Sequence, residues 1–362
     1  MKKTGLRESD RPALYLHIGL PKTGTSAIQN FFFQNREILK KKGILYPDLA
    51  LHWSQHVPVA KAIFSPIFPK AHFNRLIESV DMASWYEGLL NGCSKDECSK
   101  VVISSDFFWA APAMQSALSY HEPTEDNYIL LEQAVAACKK AFSWFDTVKV
   151  IVYLRRQDQW LESFFNQQIK DGFSIPTEPE LLPCKNYLLF SKNLSIWEQY
   201  FGQDNILVRN FSACNGDVVK DFCRLLSVHD DAGLVSPSTD ARSANLRLSP
   251  RAVQTMRFAL ENNMDKATLD LLGEVLRYTS SRGKQGDASG VFSTDFHRQV
   301  LSVYEQDNCE LAKRYPVCAD FCNSAEPAPC PSTDIPASSP EEQVEILLQR
   351  LLPAYVAEVS KL

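Results

Sequence analysis

The eight residues from Gly19 to Ser26, Gly-Leu-Pro-Lys-Thr-Gly-Thr-Ser, bring together glycines, hydroxyl side chains and one lysine. A turn of this composition ahead of a helix offers backbone N–H groups and the positive end of the helix dipole, and the two together bind anions. The spacing Gly19-x4-Gly24 matches a Walker phosphate loop, yet Thr25 stands where that loop carries its lysine. The lysine here is Lys22, in the middle of the turn. A lysine after the second glycine reaches along a polyphosphate, whereas one inside the turn lies near the first phosphate and its leaving bridge. The chemistry this suits is transfer from a mono- or mixed anhydride rather than from ATP.

The segment resembles the 5′-phosphosulfate loop of the PAPS-dependent sulfotransferases, whose pattern Pro-Lys-[Thr/Ser]-Gly-[Thr/Ser]-[Thr/Ser] reads here as Pro21-Lys22-Thr23-Gly24-Thr25-Ser26. The run HIGLPKTGTSAIQNFFFQN is most similar to the bacterial and carbohydrate branch of that superfamily. A second segment, VKVIVYL, ends in Arg155-Arg156, and Ser163 follows Arg155 by eight residues. The resemblance implies that Arg155 and Ser163 hold the 3′-phosphate of the co-substrate: a guanidinium fork clamps phosphate oxygens, and a hydroxyl on the first turns of the next helix completes the site. A Walker B strand would end in an acid for magnesium; this one ends in two bases. The resemblance spans roughly residues 13–230.

It implies transfer of a sulfuryl group from PAPS (3′-phosphoadenosine 5′-phosphosulfate) to a hydroxyl or amine, with a carbohydrate or glycoconjugate as the expected acceptor and no metal ion. Lys22 would stabilise charge on the leaving bridge oxygen, and Pro21, Lys22, Thr23, Gly24, Thr25 and Ser26 would surround the 5′-phosphate. Family position admits several general bases: His52 or His56 downstream of the loop, or Asp106 at the end of VVISSD, ranked His56, Asp106, His52. Arg282, Gly283 and Lys284 form a late basic loop of the kind many sulfotransferases place at the 3′-phosphoadenosine end, although a solvated loop is the simpler reading of them. His17 reads as structural. Two other functions stay open: a P-loop kinase for a small molecule, which the missing Walker lysine disfavours, and a non-catalytic nucleotide-fold binding module.

The elements that must position these residues alternate. Residues 13–18, 101–105, 148–154 and 205–208 read as apolar strands without period-2 alternation, and each is followed by a loop and a helical pattern. This predicts an α/β fold, a P-loop-like three-layer sandwich with a central parallel sheet and helices on both faces. One helix is expected over Thr25–Lys42, stopped by Gly43. A single domain over 13–315 is expected, with its cofactor-binding core at 13–230. Inserts at 47–95 and 171–190 are expected as acceptor-binding walls, the first rich in aromatics (Trp53, Phe64, Phe68, Phe73, Trp85, Tyr86). A proline- and cysteine-rich strap at 316–340 and a terminal helix at 341–362 complete the expectation.

The 362 residues carry 38 Lys plus Arg against 43 Asp plus Glu, a net charge of −5 that argues against a nucleic-acid coat or an anionic membrane surface as partner. No apolar stretch reaches the roughly 18 residues of a membrane span, and the N-terminus lacks a secretory h-region. A cytoplasmic location is expected. The ten cysteines include four between 309 and 330 without zinc-ligand spacing, and are expected as reduced thiols.

Overall fold

The computed structural model describes residues 11–48, 51–69, 78–92, 98–110, 125–172, 185–214, 217–228, 233–235, 248–282 and 291–322. In chain order its main elements are β1 (Ala13–His17), α1 (Thr25–Gln34), α2 (Arg36–Lys41), β2 (Ile44–Leu45), α3 (Val57–Phe64), α4 (Met82–Gly92), β3 (Lys100–Ser104), α5 (Glu125–Ala141), β4 (Val148–Leu154), α6 (Gln157–Lys170), α7 (Phe190–Phe201), β5 (Ile206–Asn210), α8 (Val218–Leu225), α9 (Pro250–Glu261), α10 (Lys266–Arg282) and α11 (Thr294–Arg314). They fall into two compact units, one of Met1–Arg155, Pro183–Pro237 and Tyr304–Asn323, the other of Arg156–Leu182, Ser238–Val303 and Ser324–Leu362.

The first unit is built on a five-stranded sheet in the order β2-β3-β1-β4-β5, with every pairing parallel. This is the expected α/β sandwich. On one face α1, α2 and α8 cover Val102, Ile151 and Tyr153 through Ile28, Phe31, Phe32, Leu39, Val218 and Phe222, all buried. Alternation along each strand turns Leu14, Leu16, Val101, Ile103, Val150 and Val152 to the opposite face. There α5 packs with α3 and with α7, and Phe64, Phe108 and Phe142 form an edge-to-face chain. Because β1 lies between β3 and β4, and His17 is in register with Ser104 and Ile151, the carboxyl ends of three neighbouring strands open on one edge. Ligands of open α/β sheets bind at such an edge, where the strand order reverses.

The expected long helix is broken at Asn35, a buried residue whose Nδ2 donates to the Phe31 carbonyl at 2.9 Å and to the Val235 carbonyl at 3.0 Å. A side chain bonding back to the preceding turn competes with the helical ladder and separates α1 from α2. The aromatic insert needs correction: Phe64, Phe68 and Trp85 are core residues, and the Tyr86 hydroxyl donates to the Ala141 carbonyl. Phe73 lies outside the described residues. The strap begins later than residue 316, since Pro316–Cys318 and Ala319–Cys322 form helical turns. Cys309 and Cys322 form a disulfide, which corrects the expectation of reduced thiols for this pair. Cys98, Cys138, Cys214, Cys223 and Cys318 are not in disulfides. The terminal helix, most of the strap and of the 171–190 insert, and Gly283 and Lys284 lie outside the described residues. No described helix is long and apolar enough to cross a membrane.

In the second unit α6 packs with α9, and α9 with α10. Asn166 fastens the approach to α9 by donating to the Leu248 carbonyl and accepting from its N–H, at 3.0 and 3.2 Å.

Candidate active site

Between β1 and α1 the chain makes a tight turn in which Gly19, Lys22 and Gly24 all have positive φ, at 47°, 68° and 80°. The two glycines take that conformation at little cost, whereas Lys22 is held there against its steric preference. A Cβ on Gly24 would lie 2.6 Å from Val218 Cγ1, so this glycine lets the turn close on α8. A Cβ on Gly19 would lie 2.6 Å from Asp106 Oδ1, so this one makes room for a carboxylate from the next strand. Gly24 is also the N-cap of α1 and has no side chain to cap it, which leaves the first-turn amides to other acceptors.

Three neighbouring strand ends converge on the turn. Asp106 follows β3, and its Oδ2 accepts from the Thr25 hydroxyl at 3.0 Å while Oδ1 accepts from Gln29 Nε2 at 3.3 Å. Arg155 follows β4; its guanidinium donates to the Lys22 carbonyl at 3.5 Å and lies over the Phe211 ring, 5.5 Å from its centroid. Burial pushes the Asp106 carboxyl up to about 6, against the donated hydrogen bonds of Thr25 and Gln29 and the positive charge of Lys22, which pull it down.

Beneath Asp106 runs a buried polar chain. Gln29 Nε2 also donates to Ser104 Oγ at 3.1 Å, and Ser104 Oγ lies 2.8 Å from His17 Nδ1. Burial pulls the His17 imidazole down to about 3, so the ring is neutral. Sequence reading gave Gln29 and Ser104 no role. The available signal was a glutamine four residues after Thr25, on the same side of a helix whose neighbours Ile28, Phe31 and Phe32 are apolar.

The other candidate bases stand differently. His56 is fully buried at the start of α3; its Nδ1 accepts from the Ser104 N–H at 3.1 Å and its Nε2 donates to the Pro47 carbonyl at 3.0 Å. Burial pulls its imidazole down to about 4. Both nitrogens are thus committed to backbone, and the ring ties the 47–56 segment to the end of β3. His52 is half-exposed and stacks on Trp53. Within the turn the Thr23 hydroxyl donates to the Leu20 carbonyl at 2.5 Å and the Thr25 hydroxyl to Asp106, so Ser26, exposed, carries the outward-facing hydroxyl. Pro21 is half-buried. Ser163 is half-buried on α6, in the second unit. Arg156, beside Arg155 in sequence, forms a bidentate pair with the buried Asp158 at 2.8 and 2.9 Å, and His297 Nδ1 lies 3.1 Å from the same carboxylate. Among the described residues no cluster of three or more His, Cys, Asp or Glu could hold a metal ion.

The arrangement can hold an anion against the turn, with a cation beside it and a partly protonated carboxylate at its edge. No family model matches the chain. Over 83 residues it is 39% identical to an uncharacterised protein of Archaeoglobus fulgidus, a match covering 22% of each chain, so the chain spans about a fifth of that relative's length. Among solved structures, a sulfotransferase from Alicyclobacillus acidocaldarius aligns over 84% of this chain and 95% of its own, with a TM-score of 0.46 and 15% identity.

Proposed function

We propose that this chain is a PAPS-dependent sulfotransferase, moving a sulfuryl group to a hydroxyl of a carbohydrate or glycoconjugate acceptor. One observation carries the reading: Lys22 is held at positive φ inside a glycine-bounded turn, with Asp106 and Arg155 brought to it from the strands on either side of β1. The turn lacks a lysine after its second glycine, and β4 ends in arginine rather than in an acid, which together favour a phosphosulfate over a magnesium-bound triphosphate.

The co-substrate supplies an activated sulfuryl group on a phosphate leaving group. In the proposed reaction the acceptor oxygen bonds to sulfur as the bond from sulfur to the bridging phosphate oxygen breaks. The acceptor proton passes to Asp106, and the electron pair left on the bridge is stabilised by Lys22, an interaction that strengthens toward the transition state. A carboxyl near 6 is ionised at neutral pH and still basic enough to take a proton, which puts Asp106 ahead of His56 as the proposed base. Arg155 and Ser163 are the proposed 3′-phosphate ligands, and the amides of Thr23, Gly24, Thr25 and Ser26 those of the 5′-phosphate.

The test is thermal denaturation with the product nucleotide PAP and, in parallel, with ATP and magnesium, followed by radiolabelled sulfate transfer from PAPS to a panel of glycans. Stabilisation by PAP alone, together with label transfer, is expected. Stabilisation by ATP with magnesium would favour the kinase, and no stabilisation by either would leave a binding module.

A further inference from the structure

Trp53 is 84% exposed, the most exposed of the large hydrophobic residues among those described, and its φ is +56°. Both properties are unfavourable for a tryptophan: the indole gains nothing from burial, and the backbone sits where a bulky side chain is strained. Such a conformation persists only where its surroundings impose it. Here they do. His52 and Gln55 exchange backbone hydrogen bonds of 2.8 and 3.1 Å, closing a two-residue turn with Trp53 and Ser54 at its tip. Ser54 is buried, its hydroxyl donates to Asn30 Oδ1 on α1 at 2.6 Å, and its carbonyl accepts from the buried Tyr46 hydroxyl at 2.6 Å. His52 lies against the indole with ring centroids 5.1 Å apart and an interplanar angle of 23°. The turn is fixed on three sides and holds one aromatic face out to solvent.

The turn belongs to the edge that carries the candidate active site. Three residues beyond Trp53, the His56 N–H donates to the Ser104 carbonyl at 2.9 Å, and Ser104 is two residues from Asp106. The reach of five chain steps and one hydrogen bond puts the Trp53 backbone within roughly 25 Å of Asp106. Among the described residues the other exposed large hydrophobics, Ile129, Val235, Leu271 and Val317, all stand outside the segment that forms this turn, which offers no second exposed large hydrophobic of its own. A protein-binding hot spot needs a ring of apolar neighbours that excludes water. A single exposed aromatic face beside a polar imidazole fits instead a ring that is apolar on its C–H face and hydroxylated at its rim.

We propose that Trp53 is a stacking platform for a pyranose ring of the acceptor, with His52 as its polar neighbour. This rests on the carbohydrate-acceptor reading above. The experiment is calorimetric titration of the full chain, saturated with PAP, with three neutral probes: cellotetraose, chitotetraose and a β-linked galactotetraose. Wild type, Trp53→Ala and Trp53→Phe are compared. The expected result is binding of at least one probe by wild type, a loss of about tenfold in Trp53→Ala and partial recovery in Trp53→Phe. Equal affinity in wild type and Trp53→Ala, or no binding of any probe by wild type, overturns the platform. Thermal stabilisation by PAP, measured on the same variants, reports on the sulfotransferase reading separately: its absence with a Trp53-dependent sugar affinity would sink that reading and leave the platform standing.

Discussion

Asp106 takes its working range from opposed influences of known origin. Burial raises its carboxyl to about 6, while Thr25, Gln29 and Lys22 favour the ionised form. The proposed base must be ionised to act, so on that proposal turnover is expected to fall as pH drops through about 6 and to level above it. Asp106→Asn should abolish turnover together with this limb. Gln29→Leu removes a hydrogen bond that favours the carboxylate, so it should move the limb to higher pH; a loss of rate with the limb unmoved would assign Gln29 a packing role only. A limb near 4 in the wild type would belong to His56 rather than to Asp106. The role proposed for Lys22 separates binding from turnover: Lys22→Ala should keep PAP affinity within about tenfold of wild type and lose most of kcat, since in the proposed reaction its charge meets a charge that develops only in the transition state. Unchanged kcat in a sulfate-transfer assay would remove the lysine from the mechanism.

Four of the five strands were legible in the chain because parallel strands buried on both faces read as continuous apolar runs, and 148–154 reads so without ambiguity, whereas β2, two residues long, is too short to show a pattern. The break at Asn35 was not, since the carbonyl of Val235 that holds its side chain comes from 200 residues away. Nor was the fate of the aromatic insert: composition cannot tell Phe64 and Trp85, which are buried, from Trp53, which is not. The turn before α1 was legible as a tight glycine-bounded loop, but the division of labour between its glycines required the neighbours. That division is testable. Gly24 and Gly172 share φ +80°, yet a Cβ meets Val218 Cγ1 at 2.6 Å in the first and nothing within 4 Å in the second. Gly172→Ala should cost about 1 kcal/mol from backbone strain alone. Gly24→Ala adds overpacking and should cost about 3 kcal/mol in urea denaturation. Equal costs would mean that α8 yields to the added methyl.

Contacts that tie distant parts of the chain together are the least legible, because neither partner carries a local signature. The thiols of Cys309 and Cys322 lie 13 residues apart with no zinc or redox spacing, and they meet because the chain turns back through Pro316–Cys318 after α11. The same segment is held at the end of β5, where Asn210 Nδ2 donates to Asp320 Oδ1 at 2.8 Å and to the Val317 carbonyl at 3.2 Å. Arg314, at the end of α11, pairs with Glu198 on α7 and donates to Ser191 Oγ at 2.6 Å. The disulfide therefore closes a short loop whose two flanks are already fastened to the sheet and to α7. Cross-links of this length stabilise mainly by restricting the unfolded chain, by about 2 to 3 kcal/mol. The variant with both Cys309→Ser and Cys322→Ser should lose that amount in urea denaturation and melt several degrees lower, while its affinity for PAP stays at the wild-type value, because neither sulfur approaches the turn at Lys22 through any contact of the site. Peptide mapping without reductant should recover the 309–322 pair from wild type. Unchanged stability in the double variant would mean that the cross-link restricts the unfolded chain no further than its residual structure already does.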